Sequence, residues 1–452
     1  MELKKFVVNN EEVKYRNSND TVLMPTEFKE KKEYFRGAWV TSICDDFKPS
    51  PNKEEMQANL LKVLEYFEMM NLNVIVYHVR TYNNAYYKTK KAPIDSKYGT
   101  YESFEEWDYL KWFIDECHNR GIEFHAWLNP YRIKAAGFPA GTTPKDIAEM
   151  YKDFPCNPAS KAENILMNDA NGAILNPCID EVQKYIIDVC IELAQEYNID
   201  AIHFDDYFYA KMTELNEALL EDDQVNYIEY IKNNPDCGYK VDCEKDKKDW
   251  RRGNVDKFIH DLSVAINKFN KDNNRHVQFG ISPTGIYENG DGKVEYDENG
   301  TAITTGSNTK GQNHYESYLY CDSKKWIDNE WIDYIIPQSY WGLTHPVAGF
   351  ADVVDWWDKV VAHKKVNLYC GMGIYMSYAE GRYSWSDFND EASSEVLYCS
   401  KLDNVKGTCI FSFKSLTRSI DNEDQFQHNS VMKIKKEYWN KKVNPPKTKA
   451  GK

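Results

Sequence analysis

Eight segments with the pattern of buried strands alternate with helical segments along this 452-residue chain. The predicted strands are 35–42, 73–79, 122–127, the start of 199–209, 277–282, 332–337, 366–372 and 407–413. The predicted helices are 53–70, 104–120, 179–197, 252–269, 324–329, 350–362, 390–402 and 427–439. Strict alternation implies parallel strands joined by crossover helices, and eight such units close a (β/α)8 TIM-type barrel. An open doubly wound sheet is the alternative, but the sequence lacks the glycine-rich phosphate turn expected after an early strand of such a sheet.

The loops on the two sides of the strands differ in length. Those that enter strands are short, whereas three that leave strands are long, namely 128–178, 206–251 and 283–321. These loops follow strands 3, 4 and 5, so in a barrel they lie at the same C-terminal end and form a cleft. The third loop contains a predicted hairpin over 293–305, with Glu298-Asn299-Gly300 as its turn.

Domain boundaries follow from where the alternation starts and stops. Residues 1–33 are polar and irregular and are interpreted as an N-terminal extension, and residues 34–440 form the barrel. Residues 441–452 contain five Lys, two Pro and no acid, so they are predicted to form a basic disordered tail.

Composition restricts the partners and the location. A formal net charge of −15 argues against nucleic acid as a partner. No stretch of 18 consecutive apolar residues is present, so no transmembrane segment is predicted. The apolar run Phe6-Val7-Val8 is too short for the core of a signal peptide, which leaves open a cytoplasmic protein or an exported form without its leader. The 11 Cys include no C-x-x-C pair and favour a reducing compartment, and the sequence predicts no oligomeric state.

The fourth predicted strand reads IDAIHFDDYFY and ends in acidic and aromatic residues. Ile202 and Phe204 share one face of this strand. His203 and Asp205 share the other face, which points into a barrel. Asp205 is therefore predicted at the floor of the cleft as the carboxylate around which catalysis is built, and Asp206 on the wall. The alternative is that the two acids only cap a turn or the next helix.

Polar and aromatic side chains also follow the ends of other predicted strands. The candidate substrate-binding residues are Arg80, His125, Trp127, Asn129, Tyr131, Arg132, His203, Tyr207, Tyr209, Gln338, Tyr340 and Trp341, and the first strand adds Trp39 and Thr41. Planar polar groups bind sugar hydroxyls in pairs and aromatic rings stack on sugar faces, so the set predicts a carbohydrate cleft. A structural role is the simpler interpretation of any single residue, and the prediction depends on their convergence.

Motifs of other hydrolytic chemistries are absent. The sequence Gly280-Ile281-Ser282-Pro283-Thr284-Gly285 breaks the G-x-S-x-G spacing of a nucleophile elbow. The chain has no H-E-x-x-H, no Cys/His zinc spacing and no P-loop, and the acids in 293–305 have the wrong spacing for a calcium loop. No metal and no cofactor are therefore predicted. An acid-based mechanism with two carboxyl groups is what remains, as in glycoside hydrolysis.

Several of these motifs resemble those of a known family, the glycosyl-hydrolase-like family 10. The matching segments are RGAWVT from Arg36, HNRG from His118, HAWLNPYR from His125, Asn176-Pro177, FDDYFY from Phe204, WRRGNV from Trp250, GISP from Gly280, Asp322 with Trp326, WIDYIIPQ from Trp331 with Tyr340-Trp341, and Trp356-Trp357. The resemblance covers about residues 34–375. It is specific because HAWLNPYR and FDDYFY are long and occur in the right order.

The resemblance implies a TIM barrel and a bacterial glycosidase. One relative, a bacterial cell-division lipoprotein, is regarded as hydrolysing peptidoglycan glycan strands stripped of their stem peptides. A bacterial polysaccharide or peptidoglycan-type glycan is therefore the expected substrate. The family pattern also places Asp322 just after the fifth unit, where it is a candidate for a separate catalytic acid. Glu288-Asn289 stands where family members usually have Arg-Asn, so Glu288 is not expected to be the shared acid of the family.

Two functions remain open at this stage. A glycoside hydrolase needs a second carboxyl group within reach of Asp205, and the sequence offers Asp206, Asp322, Asp46 and Glu288 without choosing among them. A non-catalytic glycan-binding protein on the same barrel needs no second carboxyl group. The enzyme is favoured, while the sugar, the linkage and the stereochemical outcome are not predicted.

Overall fold

Eight parallel strands close into a barrel in the computed structural model, which describes residues 1–211, 221–377 and 384–451. The barrel strands β1 to β8 are Phe35–Val40, Val74–Arg80, Glu123–Leu128, Ala201–Phe204, Gln278–Ile281, Tyr334–Ile335, Asn367–Met372 and Val405–Ile410. Each strand pairs with the next along the chain, and β8 pairs with β1. The predicted (β/α)8 architecture is confirmed, because the strands follow one another around the barrel in sequence order, as crossover helices require.

Helices cover the outside of the barrel. The principal helix after each strand, α1 to α8 in order, is Lys53–Met70, Tyr109–Asn119, Asp180–Glu196, Glu244–Asn273, Ser323–Asp328, Phe350–Val360, Glu391–Lys401 and Gln425–Lys433. Further α-helices are Tyr101–Glu106, Pro144–Met150, Glu221–Asn233 and Phe413–Ile420, and a π-helical turn spans Ile434–Tyr438. None of the helices in the described residues is long and apolar enough to cross a membrane.

Two of these helices differ from the sequence-based expectation. The segment 104–120 is interrupted at Asp108, whose carboxylate accepts the backbone N–H groups of Leu110 and Lys111 and so begins α2. Helix α4 begins at Glu244 rather than at residue 252. Ion pairs three and four residues apart stabilise its first turns, and such turns show no apolar periodicity in the sequence.

Alternate residues of the strands point into the barrel. The interior cluster consists of Phe35, Trp39, Val74, Val76, Trp127, Ala201, Tyr334, Ile336, Tyr369 and Cys409. Ala201 is inward on β4, so His203 and Asp205 share its inward phase, as the alternation predicts. Because the strands are parallel, the last inward residues of all of them meet at the C-terminal end of the barrel.

The long loops after β3, β4 and β5 leave from this C-terminal end. The β3 loop contains a small sheet of Arg132–Lys134, Ala173–Leu175 and Ile165–Met167. The β5 loop contains a hairpin of Glu295–Tyr296 and Ala302–Ile303, at the place predicted for it. The β4 loop contains the helix Glu221–Asn233, and its residues 212–220 lie outside the described part of the chain.

The N-terminal extension packs on the outside of α6 and α7. Its strands Leu3–Lys5 and Leu23–Pro25 pair antiparallel, and Val7–Val8 pairs with Glu11–Glu12. The hydroxyl of Tyr15 donates to the carboxylate of Asp355 on α6 at 2.8 Å.

The C-terminal segment differs from the predicted disordered tail, since residues 441–451 lie across the N-terminal end of the barrel. Their backbone carbonyls accept hydrogen bonds from buried side chains near the starts of three strands: Lys441 from Arg36, Val443 from Asn73, and Lys447 from Asn367. The ammonium of Lys449 donates to the Ile332 carbonyl at 2.8 Å. Composition predicts disorder because the segment lacks apolar periodicity, whereas the contacts that hold it use mainly its backbone.

Removing residues 441–452 should therefore lower stability. Each buried donor at the bottom of the barrel loses an acceptor, so we expect the free energy of unfolding to fall by about 2 kcal/mol or more in denaturant titrations. The matched control is Lys442→Ala, which changes an exposed side chain of the same segment and leaves its carbonyls in place. Equal stability of the truncated chain and the parent would contradict this role of the tail.

Candidate active site

The inward residues at the C-terminal strand ends surround a cavity of about 250 Å³, the first cavity. Its lining residues are Trp39, Thr41, Ile43, Cys44, His78, Thr81, Tyr82, Trp127, Asn129, Arg132, Asp205, Tyr207, Ser282, Gln338, Tyr340, Tyr375 and Phe411. Among the described residues, Asp205 supplies the only carboxyl group of this lining. Aromatic rings make up much of the wall, which suits the flat faces of sugar rings.

Two further cavities adjoin the first. The second, of about 540 Å³, shares Tyr207, Gln338, Tyr340 and Tyr375 with the first and includes Asp206 in its lining. The third, of about 200 Å³, shares Tyr207 with both. Asp205 and Asp206 thus border different cavities, because adjacent residues at a strand end point in opposite directions.

Asp205 is a buried carboxyl group with an incomplete set of partners. The side chain is 3 % exposed, and its Oδ1 atom accepts the Tyr207 backbone N–H at 3.4 Å. Within the described residues its Oδ2 atom makes no hydrogen bond of normal geometry, although the indole N–H of Trp127 helps to lower the pKa of this carboxyl. Burial raises the pKa of Asp205 to about 7, with the charge of Arg132 opposing the rise and that of Asp206 adding to it. The group therefore retains a proton over part of the neutral range.

Asp206 accepts a shorter hydrogen bond than Asp205 does. Its Oδ2 atom accepts the backbone N–H of Thr284 at 2.7 Å, and the Thr284 hydroxyl contacts Nδ1 of His314 at 3.2 Å. Burial raises the pKa of Asp206 to about 6, and the Thr284 N–H limits the rise. Both acids thus have raised pKa values, and Asp206 ionises at the lower pH.

Several residues that line the first cavity have a buried polar atom that makes no hydrogen bond of normal geometry within the described part of the chain. These atoms are Nε2 of His78, Oγ1 of Thr81, Nε1 of Trp127, Oδ1 of Asn129 and Oδ2 of Asp205. A buried polar group without a hydrogen bond costs about 1–3 kcal/mol, and such groups rarely collect at one place unless a ligand or water satisfies them. The residues that carry these atoms give the lining of the cavity a polar character beside its aromatic rings.

Two stacked pairs contribute to this wall. The rings of His78 and Trp127 are parallel within 3° with centroids 3.7 Å apart, and the Thr41 hydroxyl contacts Nδ1 of His78 at 2.9 Å. The Arg132 guanidinium lies 3.7 Å from the centre of the Tyr207 ring. Tyr207 is 38 % exposed, so part of its ring remains accessible between the cavities.

A column of hydrogen bonds lies below the first cavity. Trp39 donates its indole N–H to Nε2 of His203 at 3.3 Å, so the neutral His203 carries its proton on Nδ1 and donates it to the Tyr334 hydroxyl at 3.0 Å. Tyr334 then donates to Nδ1 of His125 at 2.9 Å, and His125 donates to Glu123 at 3.1 Å. Burial lowers the pKa of His203 well below its usual range, which keeps this ring neutral. The column fixes Trp39 at the cavity floor.

The structure brings most of the predicted site residues to the cavities. Those that line the first cavity are Trp127, Asn129, Arg132, Asp205, Tyr207, Gln338 and Tyr340. Asp206 and Trp341 line the second, and Tyr209 lines the third. His125 and His203 lie beneath the floor, in the column, where they contact other protein groups rather than the cavity.

Three predicted site residues lie elsewhere, and these predictions need correction. The register of β2 shifts between His78 and Arg80, so the Arg80 guanidinium turns outward to Tyr185. Tyr131 is fully buried in the core outside the barrel, against Phe258. Asp322 caps α5 and accepts a hydrogen bond from the Tyr287 hydroxyl at 2.8 Å, so its carboxylate holds the β5 loop in place.

The remaining candidate acids also lie outside the first and second cavities. Asp46 is buried and accepts hydrogen bonds from Thr41, Ser412 and Lys414, which join the loops after β1 and β8. Glu288 lines neither cavity. Across residues 1–211, 221–377 and 384–451, no group of three or more His, Cys, Asp or Glu side chains is placed to hold a metal ion.

Sequence reasoning missed several lining residues. His78 lies on the inward face of β2, and Ser282 and Phe411 come directly after β5 and β8 in inward phase, so the period-two rule places all three on the inward face. Thr81, Tyr82 and Tyr375 come from loops and carry no periodic signal.

Comparisons with known proteins agree with this geometry. The family model Glycosyl hydrolase-like 10 matches residues 34–381. The chain belongs to this family. It is 31 % identical over 390 residues to the glycosyl hydrolase YngK of Bacillus subtilis (strain 168), a match that covers 85 % of this chain and 69 % of YngK. It is 27 % identical over 365 residues to the glycosyl hydrolase DigH of Escherichia coli (strain K12), covering 78 % of this chain and 75 % of DigH.

A solved structure supports the fold independently. The glycoside hydrolase domain of PgaB (BpsB) from Bordetella bronchiseptica superposes with a TM-score of 0.50 at 10 % identity, covering 87 % of this chain and 98 % of that domain. At this identity the likeness concerns the fold alone. The family resemblance seen in the sequence is confirmed, and with it the enzyme class, a glycosidase.

The raised pKa of Asp205 predicts how stability changes with pH. A free Asp has a pKa of about 3.9, so between about pH 4 and pH 7 the folded protein binds more protons than the unfolded chain and loses stability as the pH rises. Asp205→Asn removes this loss. We expect the free energy of unfolding of the variant, relative to the parent, to increase by on the order of 2–4 kcal/mol from pH 4 to pH 8.

Denaturant titrations at several pH values measure this difference. Asp206→Asn is the matched variant. Its free energy of unfolding relative to the parent should increase by a smaller amount, and the increase should be complete near pH 6. A constant difference between Asp205→Asn and the parent across the range would show that the pKa of Asp205 is not raised.

Proposed function

We propose that the protein hydrolyses glycosidic bonds in a bacterial glycan bound at the C-terminal end of the barrel, with Asp205 as the proton donor. One observation carries the proposal. Asp205 is a buried carboxyl group with a raised pKa, and it is the only acid among the described residues that line a cavity walled by aromatic and polar side chains. A hydroxyl-rich chain with flat ring faces matches both sets of groups.

Glycoside hydrolysis needs a proton for the leaving oxygen and a group that handles the attacking water. Asp205, with its pKa raised to about 7, gives its proton to the glycosidic oxygen as the bond to the anomeric carbon breaks. Water adds to that carbon, and its proton passes to an ionised carboxylate. Asp206, with a pKa of about 6, is largely ionised at neutral pH and is the second carboxyl group in this proposal.

Arg132 and Trp127 assist Asp205 in this proposal. The Arg132 charge lowers the pKa of both acids, and it stabilises the carboxylate that remains after proton transfer. The indole N–H of Trp127 acts on the Asp205 carboxyl and, like Arg132, lowers its pKa, which favours the carboxylate that remains after proton transfer. A peptidoglycan-type glycan is the substrate class that the family resemblance implies, and the aromatic wall is compatible with it.

Asp205→Asn should abolish most turnover while leaving the fold intact, because the two side chains are nearly isosteric. We expect kcat to fall by about 10²–10⁴-fold, with glycan binding retained. The assay is the release of reducing ends from peptidoglycan glycan strands without stem peptides and from a panel of other glycans.

The matched control is Asp322→Asn. Asn is also a good helix N-cap, and Asp322 lies outside the first cavity, so this variant should keep turnover near that of the parent. Parent-like rates for Asp205→Asn on a substrate that the parent cleaves would refute the assignment. A parent that binds glycan strands but cleaves nothing in the panel would instead favour the non-catalytic glycan-binding protein.

A further inference from the structure

The second cavity has the features of a binding site that proton donation by Asp205 does not use. Its volume is about 540 Å³, against about 250 Å³ for the first cavity. Loops after β5 and β6 form most of it, with Ile286, Tyr318, Leu319, Trp341 and His345 among its lining residues. It adjoins the first cavity, because Tyr207, Gln338, Tyr340 and Tyr375 line both.

Trp341 forms a fixed aromatic surface in this cavity. A β-carbon at Gly285 would lie only 2.7 Å from Cζ3 of Trp341, so the indole rests directly on the backbone of the β5 loop. The side chain is only half-buried, and it lines the cavity. An aromatic ring that is supported by backbone and accessible from a cavity is suited to stacking on a sugar ring.

The rest of the lining suits a sugar as well. Thr284, Lys310 and Gln312 supply polar groups, and Ile286 and Leu319 supply apolar surface. Carbohydrate sites combine these two kinds of groups because a sugar ring has apolar faces and a polar edge.

The two acids lie at the junction of the two cavities. Asp205 borders the first, Asp206 borders the second, and the 38 % exposed Tyr207 lies between them and borders both. A glycan chain that crosses Tyr207 places one of its glycosidic bonds beside both acids and has sugar residues on each side of that bond.

We propose, resting on the proposed function, that the second cavity binds the sugars on the far side of the scissile bond from the first cavity. The enzyme then cleaves within glycan chains and does not release single sugars from chain ends. The ligand of the second cavity is thus a continuation of the same glycan, with Trp341 and Tyr318 as its stacking surfaces.

Product analysis tests the mode of cleavage. Peptidoglycan glycan strands without stem peptides are digested to low conversion by the parent protein and separated by size. Internal cleavage yields oligosaccharides of many lengths first, with short products appearing late. Single sugars or one short product from the earliest time would overturn this inference and leave the proposed function standing. No cleavage of these strands or of other glycans would overturn both.

A variant series tests the cavity itself. Trp341→Ala should raise the KM for long strands about tenfold with a smaller change in kcat, because a stacking contact is lost away from the reacting bond. Tyr318 is also half-buried and lines the second cavity, so Tyr318→Ala should likewise raise the KM. This variant replaces Trp341→Ala if Trp341→Ala fails to fold.

Trp331→Ala is the matched control. Trp331 is also half-buried but precedes β6 at the opposite end of the barrel, beside His260, so its loss should leave the KM unchanged. Folded Trp341→Ala and Tyr318→Ala variants with the KM of the parent would overturn the assignment of the second cavity.

Discussion

The candidate site depends on a carboxyl group that the barrel buries without completing its hydrogen bonds. Asp205 is at the end of β4, on the face that points inward, and its Oδ2 atom makes no hydrogen bond of normal geometry among the described residues. Desolvation at this place raises the pKa of Asp205 to about 7. The charge of Arg132, on the β3 loop, limits this rise in pKa. Arg132 does not remove the rise, because it makes no hydrogen bond to the carboxylate among the described residues. Burial at this position therefore produces a group suited to proton donation.

The barrel interior supports this site from below. Tyr334 crosses the barrel from β6 and contacts both His203 and His125 through its hydroxyl. The crossing requires Gly280 on β5, because a β-carbon there would lie 1.9 Å from Cζ of Tyr334. Burial of the column keeps His203 neutral, so its Nε2 atom accepts from Trp39 and holds that indole at the cavity floor. His125 and His203, which the sequence suggests as sugar-binding residues, thus support the residues that line the cavity.

The sequence predicts those parts of the molecule that depend on periodicity. The alternation of strands and helices gives the barrel, and the period of two gives the inward positions of Trp127, Asn129 and Asp205. Arg80 was placed incorrectly because a register shift in β2 leaves no mark in the sequence. The role of Asp322 as a helix cap depends on where α5 begins, which the resemblance to a family does not specify. The second cavity could not be predicted, because loops that meet only in the folded protein form it.

The most direct test of the account is a crystal structure of Asp205→Asn with a peptidoglycan glycan oligosaccharide bound. If Asp205 is the proton donor, a sugar residue should lie in the first cavity, with the amide that replaces the Asp205 carboxyl next to a glycosidic oxygen. Sugar oxygens should form hydrogen bonds with Arg132 and Gln338, which line this cavity, and the glycan chain should continue over Tyr207. An oligosaccharide bound only elsewhere on the protein, with no sugar in the first cavity, would contradict the assignment of Asp205 as the proton donor.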